Sequence, residues 1–421
     1  MREIRGKMKN NVLIIGSGGR ESAIERYLKL SNRVGIVYCA PGNAGSENPV
    51  DIDINDFEAL SDFAVLKDVK LTVIGPEIPL SKGIVDHFNK KGLKIFGPTQ
   101  KASMIESSKS FARKLMRKYG IPQPEFKIFN ETKQAFEYIR NSINNSMVIK
   151  ASNLAAGKGA FVCENKEDAL RAVYEIESRI GGEILIEERL SGYELSIFAI
   201  TDGKISHYMQ PAQDYKRVGE GDKGPNTGGM GAISPVKGVS KELLKKIDIK
   251  IIRPVLMALE KEGYPFKGCL YAGLMIDNGE PKVIEFNCRF GDPETQVILP
   301  LLETDLYDIL ESSASGDMSN IKISFKDKSC CCVTVCSRGY PGKYKKGFEI
   351  SGLDNINEED VFLFHAGTVK KDEKVISNGG RVFNISALGN TTQDARNKVY
   401  RALERVKFEN MFFRKDIGYK K

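Results

Sequence analysis

In the first hundred residues, short apolar runs alternate with longer stretches whose apolar positions recur at helical spacing. The apolar runs predict strands at residues 11–16, 34–40, 71–75 and 94–97. The amphipathic stretches predict helices at residues 21–30, 57–66 and 80–90. Because strand and helix alternate with short links, we expect an α/β domain with a parallel sheet. Ligands of such sheets bind beyond the carboxyl ends of the strands, which here carry Gly16-Ser17-Gly18-Gly19, Gly42-Asn43 and Gly75-Pro76-Glu77.

The pattern changes after residue 100. A basic helix is predicted over 101–119, because Gly120 and Pro122 form a stop signal. Shorter apolar runs then predict strands at 147–150, 160–163, 183–188, 194–200 and 267–277. Residues 210–234 show no period, so we expect a long irregular loop. Since Lys216 and Arg217 lie near its glycines, we interpret this loop as a lid that binds anions.

Residues 282–288 predict a strand in which apolar Ile284 and Phe286 alternate with Glu285 and Asn287. Side chains two apart on a strand share a face, so the two polar groups lie about 7 Å apart along the backbone. Two oxygen ligands at this spacing suit a hard cation such as Mg²⁺, with phosphate oxygens completing its shell. The alternative is an amphipathic strand with a solvated polar face. The charged residues Arg289, Asp292 and Glu294 follow at once.

The last hundred residues predict a small, mostly-β domain. A helix is expected over 301–313, and a domain boundary is expected at Ser315-Gly316-Asp317. Strands are then predicted at 330–336, 362–368 and 381–387, followed by a helix over 392–406. The predicted organisation is a basic tail (1–10), an N-terminal domain (11–107), a central domain (108–316, with a small lobe at about 122–192) and a C-terminal domain (317–421).

Two glycine loops are candidate anion-binding sites, and for each a purely structural role is the alternative interpretation. The turn from Gly16 to Glu21 leads from strand to helix and offers backbone N–H groups. It lacks the third glycine of the dinucleotide fingerprint, and it could be only a tight turn. The loop 151–159, with Lys158 among its glycines, could cover phosphates or could be a solvated hairpin tip. It is not a P-loop, because Gly159 rather than Ser or Thr follows Lys158.

Composition narrows the class of protein. Of 421 residues, 41% are hydrophobic and 28% charged, which is typical of a globular protein of several domains. No apolar run is long enough to predict a membrane span, and residues 1–10 lack the apolar core of a secretory signal. The net charge of +8 favours small anionic substrates and is poor evidence for nucleic acid. The eight cysteines form no C-x-x-C pair, so we expect no zinc site and a reducing cytoplasm.

Taken together, these motifs resemble the ATP-grasp superfamily and, within it, the phosphoribosylamine–glycine ligase (glycinamide ribonucleotide synthetase) family. The resemblance runs from about Asn11 to Gly418. It is carried by Gly16 to Glu21, Pro41 to Gly45, Gly75-Pro76-Glu77, Leu154 to Gly159, Lys216-Arg217, Gly224 to Gly231, Glu285 to Glu294, His365 to Thr368, Asn378 to Arg381 and Arg414 to Gly418.

The resemblance implies a Rossmann-like N-terminal domain, a two-lobed ATP-grasp domain and a small C-terminal domain. It implies that ATP, glycine and 5-phosphoribosylamine give glycinamide ribonucleotide, ADP and phosphate, the second step of purine synthesis de novo, through a glycyl phosphate. The implied catalytic residues are Arg289, Asp292, Lys216 and Arg217. The implied ATP-binding residues are Lys109, Lys150, Gly157, Lys158, Gly159, Glu187, Glu188, Leu190 and Glu194. Glu285 and Asn287 would bind Mg²⁺, with Mn²⁺ as a substitute. The implied substrate-binding residues are Gly18, Gly19, Arg20, Glu21, Asn43, Pro76, Glu77, Asp214, Gly228, Gly229, Gly291 and Glu294.

The chain departs from the family pattern at Ser22 and Tyr215, where the family usually has His, and at Ser152-Asn153, where it has Asp-Gly.

Three other functions compete: a sister carboxylase or formate-using transformylase, a nucleotide-binding module without activity, and a nicotinamide dehydrogenase. We expect a monofunctional, cytoplasmic ligase without nucleic-acid or membrane partners. A monomer is favoured, and a homodimer is the alternative.

Overall fold

The first part of the chain forms a parallel α/β layer, as its hydrophobic pattern predicts. The computed structural model describes residues 9–155 and 159–419. The strands pair in the order β2-β1-β3-β4, and all three pairings are parallel. The elements are β1 (Asn10–Gly16), α1 (Gly19–Lys29), β2 (Val34–Pro41), α2 (Phe57–Leu66), β3 (Val69–Ile74), α3 (Glu77–Ser81), α4 (Ile84–Lys90), β4 (Ile95–Phe96), α5 (Met104–Ser107) and α6 (Lys109–Lys118).

Two helices that the pattern predicts as continuous are interrupted. The helix expected over 80–90 is divided into α3 and α4, because Gly83 takes a left-handed conformation with a φ of 89°. The helix expected over 101–119 is divided into α5 and α6 at Ser108, whose backbone is extended. Ser108 forms a β-bridge with Asn153, and its hydroxyl caps α6 by accepting a hydrogen bond from the N–H of Phe111.

The small lobe is an antiparallel sheet, in the order β5-β8-β6-β7, with two helices. The hydrophobic pattern identified three of its strands. The elements of the small lobe are β5 (Phe126–Phe129), α7 (Thr132–Asn141), β6 (Met147–Ala151), β7 (Ala160–Cys163), α8 (Lys166–Arg179) and β8 (Ile184–Glu188).

The large lobe is built on a second antiparallel sheet, in the order β10-β9-β15-β16. A π-helical turn at Asp248–Ile252 joins α9 to α10. The elements of this part of the chain are β9 (Tyr193–Thr201), β10 (Ser206–Tyr208), β11 (Gln213–Asp214), β12 (Arg217–Gly219), β13 (Lys223–Asn226), β14 (Gly231–Ser234), α9 (Lys241–Ile247), α10 (Arg253–Lys261), β15 (Gly268–Asp277), β16 (Glu280–Asn287), α11 (Thr295–Ile298) and α12 (Leu306–Ser315).

The expectation of an irregular loop over 210–234 is wrong, because this segment contains β11 to β14. β12 and β13 form a hairpin, while β11 and β14 join the sheet of the C-terminal domain. Helix α12 also begins later than the predicted residue 301. Residues 299–301 are 3₁₀-helical, and Asp305 caps α12 by accepting a hydrogen bond from the N–H of Tyr307.

The C-terminal sheet has the order β11-β14-β17-β21-β18, with β22 also paired to β17. Its central strand β17 holds Cys330, Cys331, Cys332 and Cys336, all fully buried and free, so the interpretation of these cysteines as small core residues is confirmed. The predicted strand 362–368 ends at His365, and Thr368 begins a separate strand. The elements are β17 (Ser329–Ser337), β18 (Val361–His365), β19 (Thr368–Lys371), β20 (Lys374–Ser377), β21 (Arg381–Gly389), α13 (Thr392–Leu403) and β22 (Met411–Phe412).

The buried side chains agree with the globular protein of several domains that the composition predicts. Each described part of the chain contributes to a core of buried aliphatic and aromatic side chains. Within residues 9–155 and 159–419, no helix is both long enough and apolar enough to span a membrane.

The two lobes are joined by the short turn between β8 and β9, and this turn requires glycine. Gly192 has a φ of +121°, and a Cβ there would lie 2.1 Å from the carbonyl oxygen of Ile276. We expect Gly192→Ala to lower the free energy of unfolding by about 3 kcal/mol or more, through backbone strain and overpacking together. Gly263→Ala is the control, since Gly263 has a φ of +82° but a Cβ there would meet no atom within 4 Å. Gly263→Ala should lower the free energy of unfolding by only about 1–2 kcal/mol. Urea denaturation measures both variants, and equal losses of unfolding free energy would contradict this account.

Candidate active site

The N-terminal domain, both lobes and the C-terminal domain enclose a cleft with a cavity of about 1130 Å³. Most of the residues singled out in the sequence line it: Arg20, Pro76, Glu77, Lys109, Lys150, Gly159, Glu187, Glu188, Leu190, Glu194, Asp214, Lys216, Arg217, Gly228, Glu285, Asn287, Arg289, Asp292 and Glu294. Those outside the lining are Gly18, Gly19, Glu21, Asn43, Gly229 and Gly291. Gly157 and Lys158 lie outside the described residues.

A buried group of three charged residues joins the lobes on one side of the cavity. The Glu187 carboxylate lies 2.7 Å from Arg113 Nε and 2.9 Å from Lys150 Nζ, and its side chain is 2% exposed. Burial raises the pKa of Glu187, but Lys150 and Arg113 outweigh burial and hold it below its ordinary value. Arg113 also donates to the carbonyl oxygens of Val283 and Ile284, at 3.0 and 2.7 Å. The group thereby ties α6 and the small lobe to β16.

This group changes the interpretation of Glu187. The family resemblance predicts that Glu187 frames an adenine, yet its carboxylate is already occupied by two cations. Lys150 also donates to the carbonyl oxygen of Ile284, at 3.0 Å, so its ammonium is held at the cavity by both lobes. Arg113 was missed in the sequence, because a basic residue in a basic helix gives no sign of burial.

The polar face of β16 lines the cavity with Glu285 and Asn287, as the alternation predicts. Lys216 Nζ lies 3.7 Å from Glu285 Oε1 and 2.9 Å from Glu194 Oε2. Burial raises the pKa of Glu285, but Lys216, Lys150 and Lys109 together lower it below its ordinary value. Glu285 is therefore ionised near neutral pH and able to accept a cation.

The donor set fits a metal ion that also binds phosphates. Among the residues that the structure describes, no three His, Cys, Asp or Glu side chains could hold a metal by themselves. Glu285 and Asn287 supply two oxygen ligands, and Mg²⁺ commonly takes few protein ligands together with phosphate and water. The small number of protein ligands is thus consistent with a metal that arrives with a nucleotide.

Arg289 is held between two carboxylates on the N-terminal side of the cleft. Its Nε lies 3.4 Å from Glu77 Oε2, and its Nη2 lies 3.4 Å from Glu106 Oε1. Glu106 also accepts a hydrogen bond from the N–H of Cys288, at 2.6 Å. Burial raises the pKa of Glu106 to about 7, although Arg289 opposes this shift. Glu106 was missed in the sequence, where it is the one acidic residue of the basic helix predicted over 101–119.

Asp214 and Glu294 form a second acidic pair that lines the cavity. Burial and the nearby Glu294 raise the pKa of Asp214 well above its ordinary value. Asp214 Oδ1 is buried and has no hydrogen-bond partner among the residues described here. The hydroxyl of Ser196 lies 3.2 Å from Glu294 Oε1 and 3.1 Å from the Tyr271 hydroxyl. Two close carboxylates, one with an unsatisfied oxygen, suit a small ligand that carries an ammonium group.

The glycine turn before α1 packs against the C-terminal domain rather than facing the cavity. A Cβ on Gly19 would lie 2.1 Å from Asn384 Nδ2. The Glu21 carboxylate accepts from the N–H of Gly18 and pairs with Arg20 Nε, at 2.5 and 2.6 Å. Asn43 Nδ2 donates to the carbonyl oxygens of Ser17 and His365, at 2.9 and 3.1 Å. Glu21 thus stabilises the turn itself, while Asn43 joins the turn to the C-terminal domain, and neither side chain lines the cavity.

The departures from the family pattern have structural partners. Ser22 Oγ donates to the carbonyl oxygen of His365, at 2.7 Å. Ser152 Oγ accepts from the N–H of Ser110, at 3.2 Å, and the Tyr215 hydroxyl accepts from the N–H of Gly418, at 3.2 Å. Lys109 Nζ lies 3.4 Å from the carbonyl oxygen of Asn153. Each replacement is thus accommodated beside the cleft.

The C-terminal domain supplies a cation that the sequence analysis did not assign. Arg381 reaches the cavity from β21 and donates to the backbone oxygen of Asp292, at 2.6 Å, and to its carboxylate, at 3.0 Å. It also donates to the carbonyl oxygen of Gly228, whose N–H donates to the Tyr340 hydroxyl at 2.9 Å. Gly228 and Asp292 are therefore positioned from the C-terminal domain.

Comparison with known proteins gives consistent results over the length of the chain. Family models described as the N domain, the ATP-grasp (A) domain and the C domain of phosphoribosylglycinamide synthetase match residues 10–106, 107–295 and 330–420. A phosphoribosylamine–glycine ligase of Caldanaerobacter subterraneus is 48% identical over 415 residues, which covers 97% of this chain and 99% of that protein. The trifunctional purine biosynthetic protein adenosine-3 of Gallus gallus is 44% identical over 98% of this chain, which matches 42% of that protein.

Solved structures agree with the sequence matches. The phosphoribosylamine–glycine ligase of Thermotoga maritima has a TM-score of 0.81 and 33% identity, and the match covers 96% of this chain and 99% of that one. A biotin carboxylase of Campylobacter jejuni has a TM-score of 0.73 at 14% identity over 96% of this chain and 93% of that one. The second match shows a shared fold only.

The buried Glu106 leads to a prediction about pH. Its pKa is about 7 in the folded protein, against an ordinary value of 4.5, so the folded state binds this proton more tightly than the unfolded state. Its stabilising contribution is therefore complete below pH 4.5 and is lost as the pH rises through 7. Glu106→Gln stays uncharged and should escape this loss. The unfolding free energy of the native protein, relative to the variant, should fall by about 3 kcal/mol between pH 4.5 and 8. Urea denaturation across that range measures it, and a constant difference would contradict the assignment.

Proposed function

The chain belongs to the phosphoribosylglycinamide synthetase family, and we propose that it joins glycine to 5-phosphoribosylamine with the use of ATP. The products are glycinamide ribonucleotide, ADP and phosphate, as in the second step of purine synthesis de novo. The observation that carries the proposal is the meeting of Glu285, Asn287 and Arg289 with Lys109, Lys150 and Lys216 in one cavity. Acidic metal ligands beside a group of cations suit the transfer of a phosphoryl group between two anions.

ATP would lie between the lobes. Glu188 and Leu190, at the end of β8, would frame the adenine, and Glu194 would hold the ribose hydroxyls. Lys109 and Lys150 would contact the phosphates, and the 157–159 glycine loop with Lys158 would cover them. Glu285 and Asn287 would hold Mg²⁺, or Mn²⁺ in its place. The metal, when bound, would supply positive charge to the phosphate oxygens.

The substrates would meet on the other side of Arg289. The carboxylate of glycine would lie near Arg289, while Asp214 and Glu294 would receive its ammonium group. Arg20, Pro76 and Glu77 line the N-terminal side of the cavity, where 5-phosphoribosylamine would bind. This arrangement accounts for the presence of both an acidic pair and a group of cations in one cavity.

The chemistry needs no protein nucleophile. An oxygen of the glycine carboxylate attacks the γ-phosphorus, the bond to the β-phosphate oxygen breaks, and ADP leaves. The amine of 5-phosphoribosylamine then attacks the carbonyl carbon of the glycyl phosphate. The carbon–oxygen bond to phosphate breaks, and the amine loses one proton. The protein contributes positioning and charge stabilisation.

A sister enzyme with another acid substrate is the alternative, because the same fold occurs in biotin carboxylases. The acidic pair Asp214 and Glu294 favours a substrate with an ammonium group, which bicarbonate and formate lack. We further propose a monomeric enzyme of the cytoplasm that acts on small molecules. Unpaired buried thiols in β17 are consistent with a reducing compartment.

Substrate omission tests the proposed function. We expect release of ADP only when ATP, Mg²⁺, glycine and 5-phosphoribosylamine are all present, with glycinamide ribonucleotide formed in equal amount. Coupled detection of ADP and mass spectrometry of the product measure both. ADP release that follows bicarbonate or formate instead of glycine would contradict the proposal.

Glu285 and Glu280 provide a matched pair of variants on one strand. Glu285→Gln removes the charged metal ligand, so kcat/KM should fall about 100-fold or more. Glu280 lies at the far end of β16, where it pairs with Lys246 and Lys250, and Glu280→Gln should keep the native rate. Steady-state kinetics over a range of Mg²⁺ concentrations measure both. An unchanged rate and metal dependence for Glu285→Gln would show that Glu285 is not a ligand.

A further inference from the structure

The cation Lys216 stands at the base of a hairpin, of which Arg217, Asp222, Asn226 and Thr227 also line the cavity. This hairpin (residues 215–227) contains β12 and β13, in which Arg217 pairs with Asn226. The carbonyl oxygen of Lys216 accepts from both the N–H and the hydroxyl of Thr227, each at 2.8 Å. The position of the Lys216 ammonium beside Glu194 and Glu285 therefore depends on the backbone of the hairpin.

A segment near the end of the chain holds this hairpin. We call residues 414–418 the clasp. Arg414 is fully buried, and its Nη1 donates to the carbonyl oxygen of Arg217, at 2.9 Å, and to Asp222 Oδ1, at 3.0 Å. Its guanidinium carbon lies 5.2 Å from the centre of the Tyr215 ring. One side chain thus contacts the hairpin on both sides of Lys216.

Asp416 orients Arg414 and adds a bond of its own to the hairpin. Its carboxylate accepts from Arg414 Nε and Nη2, at 2.8 and 2.7 Å, which is the bidentate geometry typical of arginine and carboxylate. Asp416 Oδ2 also accepts from the N–H of Gly221, at 2.8 Å. The N–H of Lys415 donates to Glu220 Oε1, at 3.2 Å. The clasp therefore bonds the tip of the hairpin as well as its base.

The clasp is itself fixed to α13. The Tyr400 hydroxyl donates to the carbonyl oxygen of Arg414, at 2.8 Å, and accepts from the N–H of Ile417, at 3.2 Å. Arg396 donates to the carbonyl oxygens of Lys415 and Ile417, at 2.8 and 3.1 Å. Neither Arg414 nor Asp416 lines the cavity. Their arrangement has no direct use in binding substrate, but it fixes the backbone on which Lys216 stands.

We propose that the clasp is a positioning device for Lys216, through which Arg414 and Asp416 set the rate of ligation without contacting substrate. The inference rests on the proposed function, in which Lys216 is one of the cations that meet Glu285, Asn287 and Arg289 where the phosphoryl group is transferred. Loss of the Asp416 charge leaves one acceptor oxygen where Arg414 Nε, Arg414 Nη2 and the N–H of Gly221 share two, so the bidentate bond is lost. The hairpin then loosens, and the Lys216 ammonium is spread over a wider range of positions. Because the site acts by preorganised charge, the rate falls although no substrate contact is removed.

A double-mutant cycle tests the proposal. Asp416→Asn keeps the shape of the side chain and removes its charge, and it is measured alone and together with Lys216→Gln. We expect Asp416→Asn to lower kcat/KM for ATP about tenfold in the native chain and less than twofold in the Lys216→Gln chain. The ATP dissociation constants of the same four chains, measured by titration calorimetry, give a second double-mutant cycle that does not depend on turnover. Arg414→Lys, which keeps the charge but not the planar fork, should behave like Asp416→Asn.

Asp360→Asn is the matched control, because Asp360 pairs with Lys328 and Lys398, at 3.3 Å each, elsewhere in the C-terminal domain. It should lower the melting temperature without changing kcat/KM. Equal factors for Asp416→Asn in both backgrounds would overturn the proposal. A loss of activity in Asp360→Asn as large as in Asp416→Asn would also overturn it. A native chain that binds ATP but makes no ADP with glycine would contradict the proposed function instead. In that case the double-mutant cycle on the ATP dissociation constant would still test whether the clasp positions Lys216.

Discussion

The buried contact of Glu187 with Arg113 and Lys150 is the constraint on which the cleft depends. Three charged groups removed from water are tolerated only where each is paired and the remaining donors are used. Here the donors of Arg113 and Lys150 that Glu187 does not take reach the carbonyl oxygens of Val283 and Ile284 in β16. Removing one member would leave a buried charge unpaired, at roughly 3–5 kcal/mol. The group therefore fixes the strand that carries Glu285 and Asn287 relative to the small lobe.

The other charges of the site follow from this fixed strand. Beyond Asn287, the chain places Arg289 between Glu77 and Glu106 of the N-terminal domain. Lys216 lies between Glu194 and Glu285, and the carbonyl oxygen of the next residue, Arg217, accepts a hydrogen bond from Arg414 of the C-terminal domain. Cations and carboxylates alternate, so each ionised group has an opposite charge in reach before any ligand binds. Such preorganisation is how a site without a nucleophile can lower a barrier.

The sequence predicted the parts of this arrangement that local patterns encode. The fold class is confirmed, and the alternation of Ile284 and Phe286 with Glu285 and Asn287 correctly predicted one face of β16. Local patterns could not predict that β11 and β14 join the C-terminal sheet, because strand pairing over a hundred residues depends on the whole fold. The segment 210–234, expected to be an irregular loop, also contains the hairpin of β12 and β13, which Arg414 contacts from nearly two hundred residues further along the chain. Single buried charges such as Arg113 and Glu106 carry no periodic signal.

The central claim is that the cleft activates a carboxylate by bringing it to the γ-phosphate beside Glu285, Asn287 and Arg289. Transfer of an isotope measures this directly. Glycine labelled with ¹⁸O in its carboxylate is converted with ATP and 5-phosphoribosylamine, and the released phosphate is analysed by mass spectrometry. The account predicts one ¹⁸O atom in each phosphate, because the carboxylate oxygen that takes the phosphoryl group leaves with it. Unlabelled phosphate, released together with glycinamide ribonucleotide, would contradict the glycyl phosphate and the roles assigned to this part of the cleft.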